Sequence, residues 1–287
     1  MQCARRRFSL ISFEVTKRRA ALALALALAL AWLVLARPAA ANPRIFPFTY
    51  TADTLPKGDL ELEAYTDYIP IRVASAIGRN VWYGSTAFQT ELEYGITSKL
   101  ELGLYVTFAP AASQDYNGVA TPVEGNGLKQ RLKYRLAGPG QWPIDVAVYG
   151  ELVEDHRELE IEAKLILERR LGPLRIAANS TVEREYYFTS EKDWVLNESA
   201  GVTVEITPAF QPGLEAFVRA EYTSPKITPR PFNLGPHLYV GPTVLSQFGR
   251  LWWTVGAYAR LTDHSRSQQV GDTYGNYWLR SVVGYDL

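Results

Sequence analysis

Three regularities of the sequence predict an all-β protein, a transmembrane antiparallel up-and-down β-barrel of about 12 strands. Polar and apolar residues alternate along most of the chain, connections of two lengths separate the alternating segments, and aromatic residues cluster near the segment ends. A period of two places successive side chains on opposite faces of a strand. The pattern is typical of a wall with one face toward lipid and the other toward an interior.

The alternation recurs in twelve segments, each about as long as a tilted strand that crosses the hydrocarbon layer. In the first, Leu60, Leu62 and Ala64 are separated by acidic residues. The segments lie near 58–68, 86–95, 99–109, 126–137, 143–154, 157–169, 173–186, 193–206, 213–223, 236–246, 250–262 and 274–287.

The connections between these segments alternate between short and long. The short ones are 96–98, 138–142, 170–172, 207–212 and 247–249. The longer ones are 69–85, 110–125, 187–192, 224–235 and 263–273, and 155–156 is an exception. Short turns at one end and long loops at the other are typical of bacterial outer-membrane barrels, with the turns in the periplasm. An even strand count then places both termini on the short-turn side.

The predicted lipid face carries aromatic residues near both ends and aliphatic residues between them, as headgroups favour amphipathic rings. The aromatic positions are Tyr94, Tyr134, Trp253 and Tyr285 at one end and Tyr68, Phe108, Trp194, Tyr222 and Tyr277 at the other. Glu198 breaks this pattern because it falls on the apolar face of 193–206. Either a bulge near Asn197–Ser199 shifts the phase, or this strand stands higher in the membrane.

Residues 1–41 are predicted to be a cleaved signal peptide and 42–287 the outer-membrane β-barrel. Basic residues precede the apolar run Ala20–Ala36, and Ala39–Ala41 forms a small-x-small cleavage site. An uncleaved membrane anchor is the alternative, and the start codon and export route stay open.

Composition beyond residue 41 excludes several classes of function. It contains 23 Lys+Arg against 29 Asp+Glu, a net charge of −6, and such a chain is a poor nucleic-acid binder. The only cysteine is Cys3, inside the predicted signal peptide, so no disulfide or cysteine metal site is expected. The sequence predicts no cofactor, no metal and no catalytic residue. None of its three histidines has a serine two residues on, as outer-membrane lipases and deacylases have.

Charged residues recur on the predicted inward faces of strands two to six, where the opposite face meets lipid. The pore-lining candidates are Lys129, Arg131, Lys133, Arg135, Glu91, Glu93, Glu101, Asp145, Glu151, Glu158, Glu160 and Glu162. They either line a narrow wet pore and set its ion preference, or pair across strands and close the lumen. The pore is the favoured hypothesis, although twelve strands lie between the widths of filled and open barrels.

Three short motifs stand out beyond residue 41. They are Ala52–Glu63, the hairpin Glu93–Gly103, and Val240-Gly241-Pro242 followed by Trp252-Trp253. These resemble the phenol-degradation meta-pathway outer-membrane family and related uncharacterised proteobacterial barrels. The end of the last segment, at Leu287, is similar to the terminal signal of such barrels, which usually ends in Phe. The resemblance implies a monomeric channel or transporter for small, often aromatic molecules, and it carries no catalytic residue.

The resulting hypothesis is passive passage of small solutes through a narrow charged lumen in the bacterial outer membrane, with small aromatic or hydrophobic compounds as the candidate solutes. A closed barrel with a structural or surface-binding role is the alternative, and a lipid-modifying barrel enzyme comes third. The expected partners are outer-membrane lipids and lipopolysaccharide, the barrel-assembly machinery during insertion, and an unidentified solute.

Overall fold

The computed structural model is a closed antiparallel barrel of twelve strands, which confirms the predicted fold class. It describes residues 42–74, 80–110, 123–155, 158–188, 192–224, 236–262 and 274–287. The strands are β1 (Leu60–Ala74), β2 (Asn80–Gly95), β3 (Leu100–Pro110), β4 (Val123–Arg135), β5 (Asp145–Asp155), β6 (Glu158–Leu171), β7 (Leu174–Tyr187), β8 (Lys192–Val204), β9 (Phe210–Ser224), β10 (His237–Phe248), β11 (Leu251–Arg260) and β12 (Tyr277–Asp286). Each strand pairs with its sequence neighbours, and β1 pairs with β12 to close the ring. The predicted signal peptide, residues 1–41, lies outside the described residues and stays a prediction.

The largest difference from the predicted strands is at the first hairpin. Much of the predicted loop 69–85 is strand, because β1 and β2 remain paired from Ile69 opposite Ser85 to Ala74 opposite Asn80. Strands of 15 and 16 residues are longer than a tilted crossing requires. Along Ile69–Ala74 apolar residues do not alternate regularly with polar ones, so a period of two does not mark this part of β1.

Connections of two kinds define the two ends of the barrel. Residues 96–99, 136–144, 172–173, 205–209 and 249–250 join strands at what we call the short-turn end, where β1 begins and β12 finishes. The two-residue turns contain Gly172 and Gly249 with φ of 61° and 66°, the positive values that tight hairpins need. We call the opposite end the long-loop end. In outer-membrane barrels the short turns face the periplasm.

The outer surface has the predicted apolar belt. Mid-strand residues such as Leu104 and Ile161 are 47% and 49% exposed. Tyr134 near the short-turn end and Trp194 near the long-loop end also face outward, at 43% and 46% exposure. An aliphatic band between two aromatic girdles matches a bilayer, and the fold with this belt is that of an outer-membrane barrel. In the part of the chain that the structure describes, no helix is long and apolar enough to cross a membrane.

Glu198 lies on this outward face at the middle of β8. The pairing of β8 with β7 and β9 runs without interruption past Glu198, so the predicted bulge near Asn197–Ser199 is wrong. The irregularity lies instead between Thr107 and Phe108 of β3. The Ser180 hydroxyl donates a hydrogen bond of 2.8 Å to Glu198 Oε1, which supplies one polar partner to an acid in an apolar belt.

The amino-terminal residues 42–55 lie inside the barrel and fill the lumen from the short-turn end up to the level of Phe48, which packs on Phe217 and Trp278. We call this segment the plug. Ile45 and Phe46 are 2% and 0% exposed and belong to a buried cluster with Leu245, Trp252 and Val282 of the wall. The hydrophobic core of this barrel is therefore built between its wall and its own amino-terminal segment.

Candidate functional site in the barrel lumen

The plug is held by side chains that point inward from different strands. These side chains accept hydrogen bonds from plug amides: Phe48 N donates to Glu215 Oε1 (3.0 Å), Tyr50 N to Asn179 Oδ1 (2.6 Å), Ala52 N to Glu168 Oε2 (2.8 Å) and Leu55 N to Glu101 Oε2 (2.7 Å). Asn179 Nδ2 also donates to the Tyr50 carbonyl at 2.9 Å. The acceptors lie on β9, β7, β6 and β3, so the plug spans the lumen and is not an additional strand.

An arginine cluster anchors the plug at the short-turn end. The Asp53 carboxylate forms ion pairs with Arg170, Arg175 and Arg135, the last at 3.4 Å. Burial by itself raises the pKa of Asp53, but the guanidinium groups of Arg175 and Arg170 outweigh burial and lower this pKa below its ordinary value. Glu168, which holds the Ala52 amide, bonds the same two arginines.

Aromatic side chains of the plug pack against complementary surfaces of the wall. A Cβ atom at position 201 would lie 2.6 Å from the ring of Phe46, so Gly201 of β8 leaves the space that this ring occupies. Phe48 stacks near Phe217, with ring centroids 4.1 Å apart, and the guanidinium of Arg280 lies 3.9 Å from the Phe48 centroid. The plug therefore fits the wall in shape as well as in hydrogen bonding.

The four predicted basic residues of β4, which we call the basic ladder, have different partners; they are Lys129, Arg131, Lys133 and Arg135. Arg131, with a side chain 0% exposed, donates to Glu91 Oε1 at 2.6 Å, to Glu101 Oε1 at 2.7 Å and to Glu93. Lys133 lies 3.0 Å from the same Glu101 oxygen. A buried cation thus pairs with three carboxylates of the neighbouring strands β2 and β3, and pairing across strands is one of the two interpretations that the sequence left open.

The two ends of the ladder differ from its middle. Arg135 contributes to the Asp53 anchor. Lys129 is 26% exposed in its side chain and pairs with Glu151 at 3.3 Å. The ladder thus runs from the plug anchor, through a sealed level, to a level that still contacts solvent.

The remaining predicted acids lie in several environments. Glu160 and Glu162 of β6 stand directly opposite Glu185 and Glu183 of β7, and Lys164 Nζ lies 2.7 Å from Glu162. Glu158 begins β6, opposite Tyr187. Asp145 begins β5 and accepts a hydrogen bond from the Gly140 amide at 2.8 Å, so it orders a turn at the short-turn end.

Above the plug, toward the long-loop end, the lumen contains a cavity of about 330 Å³. Arg44, Phe48 and Tyr50 of the plug line it together with residues of the wall, among them Tyr65, Lys129, Tyr149, Glu151, Lys164, Arg219, Trp278 and Arg280. Arg219 bonds Glu183, Glu185 and Glu221 at 3.1 to 3.4 Å. Aromatic rings and both signs of charge thus surround a space that fits a small organic molecule.

Sequence reasoning missed the plug and the residues that hold it. Glu168 and Glu215 were visible as inward acids in the alternation, but nothing local identified their partner. One signal was available: Ile45-Phe46-Pro47-Phe48 is an apolar run interrupted by proline. Such a run is a poor central strand and yet must be buried.

Of the three histidines, the structure describes His237, which is 3% exposed and packs on Tyr274 with ring centroids 4.5 Å apart. His156 and His264 lie outside the described residues.

A family model matches residues 38–274, most of the chain. The chain belongs to DUF6662, a family of unknown function. The narrower resemblance to the phenol-degradation family stays a prediction for this DUF6662 member. A search of curated proteins finds no match to it.

Solved structures similar to this DUF6662 member are outer-membrane channels and porins. The COG4313 outer membrane channel from Pseudomonas putida F1 aligns with a TM-score of 0.57 and 12% identity, over 82% of this chain and 98% of the channel. The NanC porin aligns with a TM-score of 0.50 and 10% identity, over 79% of this chain and 100% of the porin. The KdgM porin in complex with disordered oligogalacturonate aligns with a TM-score of 0.50 and 9% identity, over 79% of this chain and 99% of the porin. At these identities the likeness shows a shared fold.

Proposed function

We propose that this DUF6662 member is an outer-membrane channel for small solutes and that its own plug closes it. The observation that carries the proposal is how the plug is held. In the structure's described part, wall side chains bond the amides of Phe48, Tyr50, Ala52 and Leu55, while the twelve strands pair only with one another. The plug can therefore leave the lumen without breaking any backbone hydrogen bond of the barrel.

The cavity above the plug is the proposed entry site for the solute. Its aromatic rings favour a molecule with an apolar or aromatic body, and its paired charges favour one that also carries polar groups. The resemblance to the phenol-degradation family supports the same class. Once the plug leaves, Arg131 and its carboxylates become the narrowest charged level and set ion preference.

The proposal also covers how the protein reaches the outer membrane and what surrounds it there. We infer that the signal peptide is removed after Ala41, that the assembly machinery inserts the barrel, and that it works as a monomer among lipids and lipopolysaccharide. No catalytic role is part of the proposal.

Deletion of residues 42–55 tests the plug most directly. We expect single-channel recordings of the purified, folded deletion variant to show steady steps, while the unaltered protein is mostly silent. Addition of Arg131→Glu to the deletion should shift ion preference toward cations, because it reverses a charge in the constriction. Glu198→Gln, on the lipid face, is the matched change and should leave the current unaltered.

A disulfide lock gives a reversible version of this test. A Cβ at position 201 would lie 2.9 Å from Cγ of Phe46. The Cβ of residue 46 is one C–C bond farther at most, which is within the Cβ–Cβ separation of roughly 3.5–4.5 Å that a disulfide allows. The double variant Phe46→Cys with Gly201→Cys should be fully silent when oxidised, and reduction should restore at least the rare openings of the unaltered protein, because only an unlocked plug can leave the lumen. The only native cysteine is Cys3.

A closed barrel that binds a ligand in its outer cavity is the second candidate. The observation that favours it is the Arg131 cluster, whose buried ion pairs on β2, β3 and β4 occupy part of the lumen independently of the plug. A deletion variant that is folded, migrates differently before and after boiling, and still gives a silent bilayer would replace the channel with this closed binding barrel.

A further inference from the structure

We propose that the three arginines that anchor the plug, Arg135, Arg170 and Arg175, form a binding site for a small organic carboxylate, which takes the place of Asp53 when the plug leaves. In the closed barrel the Asp53 carboxylate occupies this site and shows how a soluble carboxylate is held. The inference rests on the proposed function, since the site becomes free only when the plug moves. It narrows the class of solute to organic acids.

The wall orients two of the arginines toward one point. Arg170 of β6 stands directly opposite Arg175 of β7, and like charges in such a pair repel unless an anion lies between them. Glu168 Oε1 accepts a hydrogen bond from Nε of each arginine. Nη2 of each arginine then donates to the same atom, Asp53 Oδ2. Glu168 belongs to the wall, so the two guanidinium groups keep this orientation when the plug is absent.

Arg135 completes the site from β4. Its Nη1 lies 3.4 Å from Asp53 Oδ1, and its Nη2 donates to the Ser98 carbonyl at 3.0 Å. Its Nε is buried and has no hydrogen-bond partner among the residues that the structure describes. Both oxygen atoms of a carboxylate in this place therefore meet guanidinium donors, and arginine is the side chain best suited to bind carboxylates.

The charge of the site depends on the plug. With Asp53 bound, the three guanidinium groups face three carboxylates, because Glu168 bonds two of the arginines and Asp145 attracts Arg170 more weakly. Asp53 leaves with the plug, whereas Glu168 and Asp145 remain on β6 and β5. The open site then has one positive charge in excess. An excess of positive charge attracts an anion from solution.

The site can be reached from the short-turn end. The side chain of Arg170 is 49% exposed, while those of Arg175 and Asp53 are 15% and 19% exposed. A soluble carboxylate binds there only after Asp53 has left, so it favours the unplugged state by mass action. At ten times its dissociation constant it raises the unplugged population about tenfold. Because Asp53 is tethered at a high effective concentration, millimolar amounts of a soluble competitor are needed.

Hydrogen exchange of the plug amides in the full-length protein measures this competition. We expect sodium acetate and sodium benzoate, each at about 100 mM, to accelerate exchange of the Ala52 and Leu55 amides about tenfold relative to sodium chloride of equal ionic strength. Acetamide, which has the same shape as acetate without the charge, should have no effect. Sodium phosphate is the fourth arm, since arginine also binds phosphate.

Three variants place the competition at the arginines. Asp53→Asn should exchange faster in chloride, but acetate should no longer accelerate it, because the arginines are then available in both states. Arg175→Gln should remove most of the acetate response. Arg169→Gln makes the same change of charge on the exposed outer face of β6 and should keep the full response. Each variant is first checked for a change in gel migration on boiling, and Arg170→Gln replaces Arg175→Gln if the latter does not fold.

Several results would overturn the proposal. They are equal exchange in acetate, benzoate and chloride, an acetate response that Asp53→Asn or Arg175→Gln retains in full, and a response to phosphate alone, which would assign the site to inorganic anions.

Single-channel recording separates this inference from the channel itself. Acetate-dependent exchange together with a silent bilayer from the plug deletion would keep the carboxylate site and remove the channel. Steady steps from the deletion variant, with no acetate response in the full-length protein, would keep the channel and remove the carboxylate site.

Discussion

The same strands form the wall of both halves of the lumen, but one half is filled by protein and the other contains a cavity. In the half nearer the short turns, the plug and the Arg131 cluster fill the interior, and Phe46 and Arg131 are 0% and 1% exposed. In the half nearer the long loops, the same strands surround a cavity of about 330 Å³. Inward charges occur in both halves, so charge pattern alone does not distinguish a seal from a vestibule. Occupancy by the plug does.

Two basic residues of strand β4 show this difference. Arg131 and Lys129 are two residues apart on the same face, but Arg131 is enclosed by three glutamates and Lys129 retains 26% of its side-chain exposure. A wall position is therefore structural in one half and available to a solute in the other.

The largest effect is expected from a substitution in the half of the lumen that the plug fills. Arg131→Met leaves Glu91, Glu93 and Glu101 buried without their shared cation and should lower the free energy of unfolding by about 3–5 kcal/mol. Lys129→Met, two residues away beside the cavity, should cost less, because Lys129 is partly exposed and pairs with one carboxylate, that of Glu151. Urea unfolding in detergent, followed by tryptophan fluorescence, measures both. Equal losses would mean that the two halves are equally packed.

The second prediction concerns the anchor of the plug. Asp53→Asn should weaken plug retention by roughly 2 kcal/mol, because charged hydrogen bonds to Arg170 and Arg175 are lost. Hydrogen exchange of the plug amides measures this loss.

The same carboxylate has a defined pH dependence. Its pKa in the folded protein is lower than in the unfolded chain, so its contribution is fully present above the unfolded value of about 3.9 and is lost as pH falls through the folded value. Protection of the plug should therefore stay level from about pH 7 to about pH 4 and fall at lower pH. A matching fall in Asp53→Asn would contradict this assignment.

A smaller effect is expected at the reciprocal amide pair of the plug. Asn179→Leu removes both hydrogen bonds to Tyr50 and should cost about 1–2 kcal/mol, which corresponds to roughly tenfold faster exchange of the Tyr50 amide. Asn197→Leu, beside the cavity, is the matched control and should leave plug exchange unaltered. Acceleration by both variants would show that the halves are coupled.

The smallest effect is expected from a substitution on the outer face of the barrel, away from both halves of the lumen. Glu198→Leu should raise the free energy of unfolding in lipid by about 1 kcal/mol, because it removes an acid from the middle of the apolar belt. Glu154→Leu, near the long-loop end of β5, should have almost no effect, since the cost of an acid falls toward the headgroups. Vesicle unfolding titrations compare the two variants.

The sequence by itself determined the wall. Alternation is a local property, because each residue from Leu60 onward takes its face from its neighbours, so the strands and their lipid face could be read directly. The extension of β1 and β2 was missed because Ile69–Ala74 lacks a regular alternation of polar and apolar residues. Glu198 could be placed on the outer face, but only the uninterrupted register of β8 excluded a bulge there.

Only the tertiary structure decided what fills the barrel. Tyr50 bonds Asn179 across 129 positions of sequence, and Thr254 bonds the Arg44 carbonyl across 210. Asp286 meets Glu61 only because β12 pairs with β1. No local period encodes such contacts. They arise because closure of a twelve-stranded ring brings inward side chains from distant parts of the sequence around one space. There, the wall side chains accept hydrogen bonds from the amides of the apolar amino-terminal segment.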